Sequence, residues 1–372
     1  MVDLVVKNGR SVRDDSPLEV AITAGKITAV GTQLTGITAQ QTIDVAGQYV
    51  SAGWIDDHTH CYEKLSLYYD DPDEDGVKTG VTTVIDAGST GADNIADFYQ
   101  RTRAKRTNVY ALINISKTGI LAQDELGDMA RVQWAPLAEA VATYPDFIVG
   151  IKARESHSVV VDNGVQPLVQ AKAFQAKLDR HLPVMVHVGA NPPELEAILA
   201  LMTSGDVLTH AYNGKPNGIL TPDGMVKEAV FDAYHRGVRF DVGHGTDSYN
   251  FNTGRIATRY GLRPWSISTD IYHRNRESGP VHDLATTLEK MMLLNYSLPE
   301  VIRMVTVAPA DSFHLTQKGR LEVGLDGDLT IFKVTDGTKT LTDSNGNTQV
   351  TEQLIQPTQA IVGGTAYEVE AQ

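Results

Sequence analysis

The stretch Ser51–His60, with the sequence SAGWIDDHTH, is an apolar run that ends in two histidines separated by one residue. Side chains two positions apart on a β-strand point to the same side of the sheet, so His58 and His60 can offer two imidazoles to one ion. Taken alone, the spacing fits two hydrogen-bonded histidines of a core or a surface equally well. The metal interpretation is favoured because four further candidates stand at or near the ends of apolar, β-branched runs: Lys152, His187, His210 and Asp270.

Apolar strand-like runs alternate with amphipathic helical segments from Gly53 to about Ala308. Eight runs are the number that a (β/α)8 (TIM) barrel of the α/β class needs, and such barrels place their chemistry at the carboxyl ends of the strands. The sequence therefore predicts a barrel with a site at its mouth. The predicted strands are Trp54–His58, Val81–Ile85, Val109–Ile115, Phe147–Lys152, Val184–His187, Val207–His210, Val238–Val242 and Trp265–Thr269.

Both ends of the chain have β character. Residues 1–52 contain short strand-like runs separated by glycine-centred turns, and the same patterning returns from residue 320 to residue 372. Each portion alone is too small to bury a stable sheet face. We therefore expect a small β-sandwich domain, built from residues 1–52 and 320–372, beside a metal-binding barrel of residues 53–319.

Charge and composition narrow the classes of partner. The chain has 32 Lys and Arg against 46 Asp and Glu, a net charge of −14, which repels phosphate backbones and anionic headgroups. We therefore expect a small-molecule substrate, with neither nucleic acid nor membrane as a partner; a homo-oligomer stays an open alternative. The single cysteine, Cys61, and a start without a signal-peptide pattern predict a cytoplasmic protein.

These segments resemble the amidohydrolase superfamily over nearly the whole chain. The similarity is to the branch of dihydroorotase-like, dihydropyrimidinase-like and deacetylase-type metallohydrolases, which pair a metal-binding barrel with a small β-sandwich. Ala52 replaces the proline usual in the family, and Ala308 replaces the asparagine of an Asn-Pro-Ala segment, but neither position supplies a ligand. The matching segments are Asn8-Gly9, Gly25-Lys26-Ile27, Asp56-Asp57-His58-Thr59-His60, Gly150-Ile151-Lys152, Val186-His187, Thr209-His210, Ser268-Thr269-Asp270 and the turn from Gly324 to Asp328.

The resemblance implies two divalent metal ions. His58, His60 and Asp270 would hold one ion. His187 and His210 would hold the second. Nitrogen-rich ligand sets with open positions suit Zn²⁺.

Lys152 would bridge the two ions. An ammonium group is a poor metal ligand, but a buried lysine with a depressed pKa can capture CO₂ and become a carbamate, an anion with two oxygens. The residues alone point the same way, because two dications need an anionic bridge and no Asp or Glu ends the fourth strand. We therefore expect a carboxylated Lys152.

A hydrolytic reaction follows from such a site. The two ions would supply an acidified water and a polarised substrate carbonyl, and Asp270 would take the proton of the water and return it to the leaving group. The bond cleaved would be that of an amide, a cyclic imide or an ester.

Three further residues are candidate substrate contacts. Arg154 lies two positions after Lys152, so on a continued strand it points the same way and can bind a substrate carboxylate. The alternative for Arg154 is an ion pair with Glu155 or with an acidic loop residue. His244 ends the seventh predicted strand, and His273 follows Asp270 by three residues. Each is therefore either a substrate contact or a loop residue whose ring nitrogens form hydrogen bonds within the protein.

The first functional hypothesis is a binuclear hydrolase that removes an acyl group, acetyl among the candidates, from a small carboxylate-bearing amide or ester. A ring-opening cyclic amidase of the dihydroorotase type is the alternative. A deaminase fits less well, because adenosine-type members commonly use one metal and lack the strand-four lysine. A catalytically inactive scaffold also fits less well, because all the ligand positions are kept.

Overall fold

The computed structural model describes residues 1–370. Its strands belong to two sheets, one mixed and one parallel. In chain order the strands are β1 (Val2–Ser11), β2 (Pro17–Thr23), β3 (Lys26–Gly31), β4 (Ala39–Asp44), β5 (Tyr49–Ala52), β6 (Trp54–Thr59), β7 (Val81–Ala87), β8 (Asn108–Asn114), β9 (Ile148–Glu155), β10 (Val184–Val188), β11 (Val207–Thr209), β12 (Arg239–Phe240), β13 (Leu329–Thr342), β14 (Thr348–Val362) and β15 (Thr365–Glu368).

The parallel sheet contains seven strands in the order of the chain, from β6 to β12. Every residue of β6, β7 and β9 is buried, as expected for a parallel sheet covered on both faces. None of the helices in residues 1–370 combines the length and the apolar character that a membrane crossing requires. The helices are α1 (Pro72–Asp75), α2 (Ile95–Thr102), α3 (Trp134–Thr143), α4 (His157–Val160), α5 (Gln166–Lys177), α6 (Leu195–Leu201), α7 (Glu228–His235), α8 (Phe251–Arg259), α9 (His273–Ser278), α10 (Leu284–Met292), α11 (Leu298–Met304) and α12 (Val307–Ser312), with 3-10 turns at Val77–Thr79 and Met129–Arg131.

The eighth predicted strand takes a different form. Ser266 forms a single parallel bridge with Asp241, just after β12, and Ile271 forms one with Thr59 of β6. This segment therefore lies between the last and the first strands of the parallel sheet. It forms single bridges rather than a continuous ladder, and at its end Asp270 adopts a φ of 50°, outside the β region.

The mixed sheet joins the two ends of the chain. Its main path runs β15-β14-β13-β5-β1-β2-β3, and β4 pairs in addition with the first part of β1, in parallel. The contact between the termini is the antiparallel pair of β5 and β13. All eight strands form one hydrogen-bonded sheet, and residues 371–372 of the predicted sandwich domain lie outside the described part of the chain.

The β13–β14 hairpin reaches from the mixed sheet to the loop that follows β12. At its tip, the backbone N–H of Ser344 donates to the carbonyl of Tyr249 at 2.9 Å, and the Ser344 hydroxyl donates to the carbonyl of Gly245 at 3.0 Å. The carboxylate of Asp343 accepts from the N–H of Phe251 at 3.1 Å. The mixed sheet thus holds a loop of the parallel-sheet unit close to Asp270.

Candidate metal centre

The predicted metal ligands converge at the carboxyl ends of the parallel strands. Asp270 Oδ1 lies 3.3 Å from His58 Nε2 and 3.2 Å from His60 Nε2. One ligand atom each from His58, His210 and Asp270 lie within 4.8 Å of one another. Residues separated by more than two hundred positions therefore form one cluster.

The spacing of this cluster fits a metal ion. Tetrahedral Zn²⁺ with bonds of about 2.0–2.1 Å keeps its ligand atoms about 3.3–3.4 Å apart. The two distances from Asp270 Oδ1 to the imidazoles of His58 and His60 are close to that value. Asp270 is thus placed to share an ion with either imidazole, whereas the three side chains whose ligand atoms all lie within 4.8 Å of one another are His58, His210 and Asp270.

Hydrogen bonds behind the cluster fix the tautomers of two histidines. His58 Nδ1 lies 2.8 Å from the hydroxyl of Thr209, which donates its only proton to Asp241 at 2.7 Å. Thr209 must therefore accept from His58 Nδ1, which leaves the lone pair of Nε2 facing the cluster. The carbonyl of Gly243 accepts from His210 Nδ1 at 2.6 Å and fixes that ring in the same way.

Burial keeps the imidazoles in the neutral form that binds metals. It lowers the pKa of His58 and His187 well below the usual value and that of His210 to about 4. Burial opposes ionisation of Asp270, but the hydrogen bond from His60 and the nearby positive groups outweigh it and lower the pKa of this carboxyl. At neutral pH the site thus combines neutral nitrogen donors with a carboxylate.

His187 and His210 face each other directly, with 2.7 Å between His187 Nδ1 and His210 Nε2. Because His210 Nδ1 donates to a backbone carbonyl, its Nε2 accepts here and His187 Nδ1 donates. Both of these nitrogens can hold an ion only after that shared proton has left. Because the His187 ring is already neutral, binding of an ion should move this proton to Nε2 of the same ring, without net release of a proton.

Lys152 is fully buried between the two groups of ligands. Its Nζ lies 3.1 Å from His58 Nε2 and 3.3 Å from Met185 Sδ. Within residues 1–370 no carboxylate oxygen comes within 4.0 Å of this amine. Burial lowers the pKa of Lys152 to about 7, so a large fraction of the amine is neutral at physiological pH.

The backbone beside Asp270 leaves no room for a larger residue at position 245. Gly245 has a φ of 54°, and a Cβ built on it would lie 2.4 Å from Asp270 Oδ2. Gly245→Ala should therefore displace this carboxylate and weaken zinc binding by tenfold or more, which a competition titration with a chromogenic chelator would measure.

Gly261→Ala is the matched control for this prediction. Gly261 has a φ of 78°, so an alanine there meets the same backbone strain, but a Cβ would have nothing within 4 Å. Equal zinc affinities for the two variants would contradict a steric role of Gly245 beside Asp270.

A cavity of about 260 Å³ adjoins the cluster, and its wall is polar. Asp270, His60 and His187 contribute to the wall from the metal-ligand side. The rest of the wall includes two tyrosines, three serines, Arg154, Lys215 and Asp247. A small polar molecule can therefore reach the cluster.

Arg154 lines this cavity, as its position on the strand predicted, but its guanidinium is already paired. Nε and Nη2 donate to the two carboxylate oxygens of Glu125 at 2.6 and 2.7 Å, and Glu125 is fully buried. The alternative of an ion pair with an acidic loop residue is thus observed. The other suggested partner, Glu155, is buried without a hydrogen bond to its carboxyl, and burial raises its pKa to about 8.

His244 and His273 lie outside the cavity wall. His244 Nδ1 donates to the Gly245 carbonyl at 2.9 Å, and Nε2 accepts from Lys290 at 2.8 Å, so both of its nitrogens are used inside the protein. His273 begins α9, where its ring stacks on Tyr69 at 5.3 Å. Neither histidine therefore lines the cavity beside the ligands, and a role for either as a substrate contact stays a prediction.

Other residues of the site carried no signal in the sequence. Asp241 accepts hydrogen bonds from Thr209, Ser266 and Ser268, and it thereby orients His58 through Thr209. Thr209 could have been noticed because it directly precedes His210. No spacing relates Asp241 or Glu125 to the residues that they hold, since these contacts arise only from the tertiary fold.

The parallel sheet and the ligand-type cluster at its carboxyl edge define a hydrolase of the amidohydrolase superfamily. The family model for a deacetylase-like composite domain matches residues 321–368. A deacetylase of Enterococcus faecalis is 55% identical over 98% of this chain and 99% of its own length. The chain therefore belongs to the deacetylase-like family.

Two solved structures agree with the fold but carry other descriptions. One, described as an adenine deaminase, has a TM-score of 0.97 and 55% identity and covers 99% of this chain and 100% of its own. Another, described as a dihydroorotase, has a TM-score of 0.90 and 33% identity over 100% of this chain and 98% of its own. The names given to these similar proteins thus differ in the reaction that they imply.

Proposed function

We propose that this chain is a binuclear metal-dependent hydrolase that removes an acyl group, acetyl in the simplest case, from a small carboxylate-bearing amide or ester. The observation that carries the proposal is the convergence of six ligand-type side chains beside one small cavity: His58, His60, Lys152, His187, His210 and Asp270.

His58, His60 and Asp270 would hold the first ion, since Asp270 Oδ1 lies 3.3 Å and 3.2 Å from the two imidazoles, close to the separation of ligand atoms around tetrahedral zinc. His187 and His210 would hold the second after the proton on His187 Nδ1 has moved to Nε2 of the same ring. Neutral imidazoles with one carboxylate favour zinc among the divalent metals.

Lys152 would connect the two groups of ligands as a carbamate. Its neutral amine attacks CO₂, one C–N bond forms, and one proton leaves, so the product is an anion with two oxygens. Its burial and the absence of a nearby carboxylate among the described residues support this role. A neutral amine is required because an ammonium group has no lone pair for the attack.

When bound, the two ions would acidify a water molecule and polarise the carbonyl of the substrate. Asp270 has a lowered pKa and faces the cavity, so it can accept a proton as the water attacks. It then returns the proton to the leaving nitrogen or oxygen as the acyl bond breaks. Lys215 in the cavity wall, a cation without a carboxylate partner within 4.0 Å among residues 1–370, favours an anionic substrate such as a carboxylate.

The chain would be divided into a barrel that carries the metal ligands and a smaller domain built from both ends. Residues 265–269 would act as the eighth strand and close a barrel of residues 53–319. The ends of the chain, residues 1–52 and 320–372, would form the smaller domain that holds the loop beside Asp270.

Two alternative reactions have a specific observation in their favour. A solved structure at 33% identity is described as a dihydroorotase, which favours a cyclic amide substrate. Another at 55% identity is described as an adenine deaminase, which favours release of ammonia. The same cluster of ligands can serve either reaction, so only turnover distinguishes them.

We expect two equivalents of zinc per chain after reconstitution, measured by elemental analysis of protein purified without chelator. The loaded protein should hydrolyse N-acetyl amino acids or O-acetyl hydroxy acids faster than cyclic amides or adenine. One equivalent with full activity would contradict the two-ion proposal. Preferred turnover of a cyclic amide or adenine would favour the corresponding alternative reaction.

A further inference from the structure

The substrate carboxylate needs a cation that is free to bind it, and the two cations in the cavity wall differ in this respect. Arg154 is held by the two oxygens of Glu125 at 2.6 and 2.7 Å, and a third bond joins it to the carbonyl of Gln123 at 3.2 Å. Its charge is already neutralised by a buried carboxylate. Lys215, by contrast, has no carboxylate oxygen within 4.0 Å of its amine among residues 1–370.

The turn that carries Lys215 also carries a predicted metal ligand. The side-chain amide of Asn213 donates to the carbonyl of His210 at 2.8 Å, and its oxygen accepts from the backbone N–H of Lys215 at 3.0 Å. The side chain of Lys215 is half-buried and lines the cavity.

The other unpaired charge in the wall is Asp247, which is exposed. It lies more than 4.0 Å from every Lys, Arg and His nitrogen of the described chain. Lys215 thus shares the cavity wall with one exposed carboxylate but is paired with none within 4.0 Å, so its amine is free to bind an incoming anion. Most of the remaining wall offers hydroxyl groups, which add hydrogen bonds without charge.

We propose that Lys215, and not Arg154, binds the carboxylate of the substrate and thereby selects acyl derivatives of small carboxylic acids. This inference rests on the proposed function. Arg154 instead acts as a positioning residue that anchors the loop of Glu125 at the wall of the cavity. Lys215, unlike Arg154, would contact the substrate directly.

Matched pairs of substrates test this assignment. N-acetylalanine and O-acetyllactate carry a carboxylate, and their carboxamides are neutral molecules of almost the same shape. Lys215→Met should lower kcat/KM for the acids about ten- to hundredfold, mainly through KM, and change that for the amides less than about threefold. Lys215→Arg should restore much of the loss for the acids.

Two variants serve as controls. Lys227→Met removes a lysine that is paired with Glu196 at 3.1 Å and does not line the cavity, so it should leave both substrate classes unchanged. Asp247→Asn removes the flanking carboxylate. If Lys215 served only to pair with Asp247, Lys215→Met and Asp247→Asn would each impair the acids and the amides alike. That result would overturn the proposal.

A binding measurement separates failure of this inference from failure of the proposed function. Lactate and lactamide would be compared by saturation-transfer NMR on the zinc-loaded wild type and on Lys215→Met. Loss of lactate binding alone supports the role of Lys215 even if no acyl substrate turns over, in which case the proposed reaction fails but the carboxylate site stands. Unchanged binding of lactate in the variant would refute the role of Lys215.

Discussion

Lys152→Ala should abolish measurable turnover and reduce bound zinc from two equivalents towards one. The amine lies 3.1 Å from His58 Nε2, and Asp270, the carboxylate beside the ligand histidines, would already bind the first ion. Without a bridge from Lys152, two dications would repel each other in a buried, low-dielectric site, so the second ion should leave. Elemental analysis and turnover would be measured on the same preparation.

Short carboxylic acids offer a test of this variant by chemical rescue. Replacing Lys152 by alanine leaves space in which acetate or propionate can supply the missing pair of oxygens, and both metal content and rate should partly recover. Labelling the wild type with ¹³C-bicarbonate should give a carbamate signal in the ¹³C NMR spectrum. Lys152→Ala should lack that signal.

Lys290 provides a matched control, because it is a second buried lysine whose pKa burial lowers to about 7. Its amine donates to His244 at 2.8 Å and to the carbonyl of Pro280 at 2.7 Å, outside the metal-ligand cluster. Lys290→Ala should keep the carbamate signal and two equivalents of zinc. A fully metallated, active wild type without a carbamate would contradict the bridging role of Lys152.

The strands were the part of the fold that the sequence predicted best, because their apolar runs are short and bounded by turn residues. The run Val184–His187, for instance, matches β10 to within one residue. The segment from Trp265 was harder, since its bridges depend on residues at both edges of the sheet and its final residue leaves the β region. Local pattern predicts that an extended segment exists, but not how completely it pairs.

The candidate site was likewise predicted only in part from the sequence. The alternation of β6 predicted that His58 and His60 would share one side, and the structure brings both to within 3.3 Å of Asp270. Alternation along β9 also predicted that Arg154 would face the cavity. Its partner, Glu125, lies on a loop whose path depends on the packing of the whole sheet, so the sequence predicted the position of the guanidinium but not its neutralisation.

Asp270→Asn should lower turnover by roughly a hundredfold or more, the usual scale for loss of a positioned proton-transfer group. The amide has nearly the shape of the carboxylate but cannot accept the proton from the attacking water. Because Asp270 Oδ1 also lies 3.2 Å from His60 Nε2, as expected for a shared ion, the substitution can act by metal loss as well. Zinc content must therefore be measured together with the rate.

Asp247→Asn makes the same chemical change at another carboxylate of the cavity wall. This residue is exposed and contacts no predicted ligand, so its variant should keep both ions and lose far less activity on neutral substrates than Asp270→Asn. If Asp270→Asn loses an ion and excess zinc restores both the ion and the rate, Asp270 serves to hold metal. A low rate that persists with both ions bound assigns it the proton transfer, whereas near-wild-type turnover would remove Asp270 from the mechanism.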